Sequence, residues 1–271
     1  MMRETEQRNP RTMHIDRAST TEILSLIQEE NFNAVRAISP AIPQIEIACD
    51  RITERMRRGG RLIYMGAGTS GRLGVIDAAE CPPTYGVSPD LISGIIAGGY
   101  DRMVSAGESA EDRGEAGVED LAQKKLKPED TVLGISVAGN AAYVADALAY
   151  ARTCGCLTVG LTSNRGSRLD TESDISIVTE TGAEVVTGST RMKAGSAHKM
   201  VLNMISTCVM IQMGNVYENM MINLRPSNIK LRRRVISIVQ EIYGCDEEQA
   251  ITYLDRHDWS IRELVDTEPV A

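Results

Sequence analysis

The middle of the chain alternates short apolar runs with stretches of helical period. Arg61-Leu62-Ile63-Tyr64-Met65 opens directly into Gly66-Ala67-Gly68, the pattern of a strand buried on both faces that ends in a ligand loop. Similar runs at 91–97, 131–136, 157–161 and 175–178 predict four further strands. Between them, 101–124 and 143–152 read as helices, and a long helix rich in Met and small residues runs over 192–213. Strands alternating with helices imply a doubly wound, mostly parallel α/β sheet of five strands. Ligands of such sheets gather at the carboxyl ends of the strands, where 66–71, 136–139 and 162–164 fall.

Helical elements flank this core. Ser19-Thr20-Thr21-Glu22 fits a capping box leading into Ile23, Leu24 and Ile27, and a second stripe follows through Ile42, Ile45, Ile47 and Ile52. The tail from 231 is a separate helical element, interrupted by Gly244 and restarted by the capping box Ser260-Ile261-Arg262-Glu263. The expected organisation is therefore an N-terminal helical segment (1–58), a sheet domain (59–230) and a short helical appendage (231–271).

Composition narrows the function classes. At 271 residues and 42% hydrophobic, the chain can build a sizeable core, which one Trp and one Phe make mostly aliphatic. A net charge of −8 argues against nucleic acid or an anionic membrane as the main partner, though not against a small anionic ligand in a positive pocket. Cys49, Cys81, Cys154, Cys156, Cys208 and Cys245 form no CxxC, and His14, His198 and His257 lie far apart, so no metal site is expected. The N-terminus carries no apolar signal core and no run approaches the roughly 18 apolar residues of a membrane span, which makes the cytoplasm the simplest address.

Two segments suit an anion. Gly66-Ala67-Gly68-Thr69-Ser70-Gly71-Arg72 follows a strand and opens a helix, so its glycines and the helix N-terminus can bring backbone N–H groups to a phosphate. The same letters satisfy GxGxxG, but the next strand ends Ile96-Ala97-Gly98-Gly99 without the acidic residue of a dinucleotide site. A Walker A reading fails because Arg72-Leu73 stands where Lys-Ser/Thr is needed. The second segment, Thr187-Gly188-Ser189-Thr190-Arg191-Met192-Lys193, puts hydroxyls and two cations at the start of the long helix.

Two carboxylates stand out. Glu80 precedes Cys81-Pro82-Pro83, where the prolines are expected to stop the helix; a carboxyl there meets the negative end of the dipole and is either a surface residue or a general acid. If 101–124 is one helix, Glu111 borders a stripe of Met103, Ala106, Ala110, Val118 and Leu121, as a rim residue or a base.

The stretches 66–74, Asp77-Ala78-Ala79-Glu80-Cys81-Pro82-Pro83-Thr84-Tyr85-Gly86 and Gly182-Ala183-Glu184-Val185-Val186-Thr187-Gly188-Ser189-Thr190-Arg191-Met192-Lys193-Ala194-Gly195 closely resemble N-acetylmuramic acid 6-phosphate etherases. Ile96-Ala97-Gly98-Gly99 and Ser109-Ala110-Glu111-Asp112 add to the likeness, and glucokinase regulatory proteins share part of 189–193. The resemblance implies a sugar-isomerase (SIS) type fold and a homodimer without metal or organic cofactor. It also implies conversion of N-acetylmuramic acid 6-phosphate, with water, to N-acetylglucosamine 6-phosphate and D-lactate. Glu80 would then protonate the departing lactate and Glu111 take the C2 proton. Gly68, Thr69, Ser70, Gly71, Arg72, Ser136, Glu184, Ser189, Arg191 and Lys193 would hold the phosphosugar. A non-catalytic phosphosugar sensor and an aldose–ketose isomerase are the alternatives on the same fold. The chain departs from the family's Ser-Gly-x-Thr-Pro core at Ala138-Gly139-Asn140-Ala141-Ala142, losing two hydroxyls, and its tail after Gly244 looks shorter.

Overall fold

The computed structural model describes residues 3–105, 110–224, 226 and 228–268. All five apolar runs are strands: β1 (Leu62–Gly66), β2 (Ile92–Ile96), β3 (Thr131–Ile135), β4 (Leu157–Thr162) and β5 (Ile175–Val178). They form one parallel sheet in the order β2-β1-β3-β4-β5, with Leu62 opposite both Ile92 and Thr131. The winding direction reverses between β1 and β3, so the ligand crevice of this topology opens at their carboxyl ends. β1 and β3 are buried along their whole length, as their uninterrupted apolar runs require.

The chain divides into two units, Met1–Ala78 with Asp90–Val209, and Ala79–Pro89 with Met210–Ala271. In the first, α1 (Thr20–Arg36) starts at the capping box of Ser19 and Glu22, both halves of which are formed. It is followed by α2 (Ile42–Arg57) and α3 (Gly68–Tyr85), which continues into the second unit. α4 (Gly114–Ala122) and α5 (Ala142–Thr153) pack on each other and cover one sheet face with Leu121, Tyr143, Val144 and Leu148, over Ile63, Met65 and Val132. After the short α6 (Arg168–Glu172) comes α7 (Lys193–Gln212), whose Ala194, Ala197, Val201, Ile205 and Val209 form a fully buried stripe at helical spacing.

The helix expected over 101–124 is not continuous. Tyr100–Met103 is a 3-10 turn, residues 110–113 are non-helical, and α4 begins only at Gly114. Tertiary packing shapes α4 from that start. A Cβ on Gly114 would lie 1.8 Å from Asp146 Oδ2, and one on Gly117 1.9 Å from the Tyr143 carbonyl, so the two glycines let α4 press against α5. Ala106 of the expected stripe and Ser109 of the family-like segment lie outside the described residues.

In the second unit, α8 (Ile229–Tyr243), α9 (Glu247–Arg256) and α10 (Ile261–Thr267) enclose their own core of Val235, Val239, Ala250, Leu254, Ile261 and Leu264. Gly244 ends α8 in the left-handed conformation, Asp246 and Gln249 cap α9 reciprocally, and Arg232 stacks 3.9 Å from the centre of the Trp259 ring. A two-stranded ribbon, β6 (Val216–Tyr217) with β7 (Met220–Met221), precedes these helices. Among the described residues no helix is long and apolar enough to cross a membrane.

Candidate active site

The loop after β1 is a tight strand-to-helix turn with a division of labour among its glycines. Gly68 takes φ +52° and is exposed. Gly66 and Gly71 are there for close packing, since a Cβ on Gly71 would sit 2.4 Å from the Gly66 carbonyl oxygen. Thr69 and Ser70 are half-buried in the first turn of α3. Arg72 is engaged elsewhere: its Nε donates to the Met103 carbonyl at 3.0 Å and its terminal nitrogen to that of Ser105 at 2.9 Å. The guanidinium therefore ties α3 to the turn after β2.

The segment before α7 is built from buried charge. Glu184 is wholly buried, and its carboxylate accepts the N–H groups of Lys193 at 3.2 Å and Ala194 at 3.0 Å, filling donors that a helix N-terminus leaves free. Burial pushes this carboxyl up, and the two N–H bonds oppose the rise. The Lys193 ammonium is also buried and pairs with Glu30 of α1. Burial alone would raise the Glu30 carboxyl, but hydrogen bonds from Lys193 and Asn9 together with the Lys193 charge hold it below its ordinary value. Between Glu184 and Lys193, Ser189 and Thr190 are half-buried and Arg191 is exposed.

The two segments meet. A Cβ on Gly195 would lie 3.5 Å from the Thr69 methyl, and a depression of about 300 Å³ there is lined by Thr69, Leu73, Arg191, Gly195, Ser196, Lys199 and Met200. Its lining brings together the hydroxyls of Thr69, in the first turn of α3, and Ser196, in that of α7, with the cations of Arg191, just before α7, and Lys199, in its second turn, an arrangement suited to an anion with several oxygens. Behind it, the buried Asp77 of α3 accepts from Tyr64 Oη at 2.9 Å, Asn203 Nδ2 at 2.8 Å and Ser206 Oγ at 3.2 Å. Burial raises the Asp77 carboxyl against those three bonds. The network joins β1, α3 and α7 and so fixes the depression's two walls.

Ser136, at the end of β3, is buried, and its Oγ accepts the Gly139 N–H at 3.0 Å, closing the loop that carries Ala138 and Ala141. Glu111 is exposed in a turn rather than on a helix, and its carbonyl accepts the Tyr143 N–H at 3.0 Å, which places it beside the start of α5. Glu80 is exposed on α3 and is not at its end. The helix runs through Pro82 and Pro83 and stops at Gly86, which has φ +66° and donates its N–H to the Pro82 carbonyl. Proline's fixed φ is helical, so each ring costs a hydrogen bond without reversing the chain. Glu80 therefore lies more than a turn from the negative end of the helix dipole, contrary to the expectation from the prolines.

Comparison with known proteins gives this arrangement its family. The N-acetylmuramic acid 6-phosphate etherase of Bacillus subtilis (strain 168) is 47% identical over 261 residues, 96% of this chain and 86% of its own length. That of Clostridium beijerinckii is 49% identical over 258 residues, 95% of this chain and 85% of its own. The chain belongs to the N-acetylmuramic acid 6-phosphate etherase family. Residues 44–152 match the glucokinase regulatory protein N-terminal SIS domain, and residues 218–268 the C-terminal lid domain of glucokinase regulatory protein. A solved structure shares the fold: a phosphoheptose isomerase from Neisseria gonorrhoeae aligns with TM-score 0.53 at 16% identity, over 70% of this chain and 98% of its own. The sheet of this etherase-family chain is of the SIS type.

Four residues that line the depression or support its walls escaped sequence reasoning. Ser196 and Lys199 share one face of α7 at i, i+3 spacing, a signal present once the helix start is known. Glu30 falls on the i, i+4, i+7, i+11 face of α1 with Ile23, Ile27 and Ala34, and Asp77 on the buried face of α3 with Gly74 and Ala78. A lone carboxylate on a helix's buried face is the signal in both cases.

Proposed function

We infer that this chain is an etherase that converts N-acetylmuramic acid 6-phosphate and water to N-acetylglucosamine 6-phosphate and D-lactate, as in cell-wall recycling. The observation that carries the reading within the molecule is the pairing of Thr69 with Arg191 and Lys199 around one depression, on a chain nearly half identical to named etherases. The substrate phosphate sits against Thr69, Ser70 and the backbone of Gly68 and Gly71, with Ser189 and Arg191 completing its shell and Lys199 adding charge. Lys193 and Glu184 act from beneath as the support of that shell, Arg72 by holding α3, and Ser136 by shaping the loop beside the sugar.

The open-chain aldehyde makes the C2 proton acidic. Glu111 removes it, the C3–O bond breaks with its electron pair leaving on lactate, and Glu80 supplies the proton that lactate takes. Water then adds across the C2–C3 double bond, its hydroxyl to C3 and a proton to C2. Both carboxylates are exposed in this chain, as groups that must exchange protons with substrate and water have to be. The enzyme works as a cytoplasmic homodimer. Its six cysteines are free thiols, in keeping with a reducing compartment, and Leu24, Phe32 and Val35 of α1 expose apolar surface suited to a second copy.

The test is D-lactate release from N-acetylmuramic acid 6-phosphate, with exchange of deuterium into C2 measured alongside. Glu111→Ala should lose both signals. Glu80→Ala should lose lactate release while keeping exchange at C2. A well-folded wild-type protein that releases no lactate overturns the assignment, and sedimentation as a monomer overturns the homodimer.

A further inference from the structure

The segment 183–193 is tied down at both ends by one distant part of the chain, the first 30 residues. Asn9 Nδ2 donates to the Ala183 carbonyl at 3.2 Å, and Thr12 Oγ1 to the Val185 carbonyl at 2.8 Å. At the other end the Lys193 ammonium is bound by Glu30. Between these anchors the segment has local bonds, Ser189 N–H to the Val186 carbonyl at 2.9 Å, Thr190 N–H to that of Gly188 at 3.0 Å and Met192 N–H to that of Ser189 at 3.2 Å. Ser189, Thr190 and Arg191 thus sit at the apex of a turn whose two feet stand on the N-terminal segment.

The feet contain a cluster of charges. Two buried carboxylates, Glu30 and Glu184, face one buried ammonium, and the half-exposed Arg11 guanidinium, which also pairs with the exposed Glu29, lies 3.3 Å from Glu30. Glu30 and Lys193 side chains are each only 4% exposed, so water cannot substitute for either partner. With Lys193 paired to Glu30, the Glu184 oxygens accept the N–H groups of Lys193 and Ala194. Without Glu30, Glu184 is a buried carboxylate left to neutralise Lys193, whose charge it already feels. Its turn toward the ammonium would release the start of α7, and with it Arg191, two residues upstream.

We propose that Glu30, acting through Lys193 and assisted by Asn9 and Thr12, is a positioning residue that sets Ser189 and Arg191 for the phosphate of the substrate. This deepens the phosphate-binding reading above and rests on it. The N-terminal segment is on this view a support of the substrate site.

The experiment compares Glu30→Gln, Glu30→Asp, Thr12→Val and Arg191→Ala by steady-state kinetics with N-acetylmuramic acid 6-phosphate, by competitive inhibition with inorganic phosphate, and by thermal melting. Glu30→Gln should raise KM and weaken phosphate inhibition together by about tenfold or more, the scale of one charge-assisted contact, with kcat changed less than about twofold. Glu30→Asp keeps the charge and should recover most of the loss. Thr12→Val keeps the shape and the ion pair, so it should move KM the same way by about threefold, and it decides the matter if Glu30→Gln does not fold. Folded Glu30→Gln or Thr12→Val protein with wild-type KM and phosphate inhibition overturns the proposal. Arg191→Ala separates the two readings. If it leaves phosphate inhibition untouched, the phosphate site itself is misassigned; if it abolishes inhibition while Glu30→Gln does not weaken it, only the positioning role falls.

Discussion

The two anion-facing segments reach the same depression by opposite means. The turn after β1 is made of backbone: Gly66 and Gly71 are pressed together, Gly68 takes a conformation other residues avoid, and Arg72 at its end is tied to backbone carbonyls. The segment before α7 is made of buried charge, with Glu184, Lys193 and Glu30 holding a turn that local bonds alone would leave loosely placed. A turn that follows a buried strand inherits its position from the sheet. A turn that follows a long irregular stretch has no such inheritance and must be fixed by side chains, at the cost of desolvating them. The first kind of loop should answer to added volume, and the second to loss of a charged partner.

That contrast can be broken at several points. The largest effect is expected from Glu30→Ala, which leaves the Lys193 ammonium buried without its partner and should cost about 3–5 kcal/mol of stability in urea unfolding. Wild-type stability in this variant would mean that the charge cluster does not anchor α7. His198, wholly buried on α7 with its Nε2 3.1 Å from Ser163 Oγ, is held by burial at a pKa of about 4 against an ordinary 6.5. The unfolded chain therefore takes up a proton that the folded chain refuses, and stability falls as pH drops from about 6.5 towards 4, by about 3 kcal/mol in all. His198→Gln should remove that part of the slope, read as the wild-type minus variant difference in unfolding free energy between pH 7 and pH 4.5. The glycine turn should answer to volume instead. Gly71→Ala forces a methyl to 2.4 Å from the Gly66 carbonyl, so a loss of about 1–3 kcal/mol that does not vary with pH is expected. The smallest effect belongs to Ser136→Ala, which removes one buried acceptor from the Gly139 N–H and should cost about 1–2 kcal/mol.

Much of this architecture could be read in the sequence because burial on both faces leaves a mark that depends on no partner. The five apolar runs predicted five strands at nearly their observed bounds, and the Ser19 and Ser260 signals marked helix starts where they occur, since a cap needs only residues three positions away. The Gly66–Arg72 turn was legible for the same reason. What failed was local reasoning applied to places where distant chain decides. Pro82 and Pro83 did not end α3; Gly86 did, where a Cβ would meet the Asn223 carbonyl at 2.2 Å. The helix expected through Glu111 gives way to a turn whose Glu111 carbonyl accepts the Tyr143 N–H at the start of α5, a partner far along the chain.

By itself, then, the sequence determined the strands and their alternation with helices, the glycine turn at the switch point, and the residue set that marks the family. Only the tertiary structure decided which polar residues are free to meet a ligand. Arg72, Glu184 and Lys193 look from the chain like the neighbours of a phosphate, yet each is already bound, to backbone carbonyls, to helix N–H groups and to Glu30. The physical reason is that a charged group removed from water must find its partner wherever the fold supplies one. For Lys193 that partner is 163 positions away, beyond the reach of any local pattern.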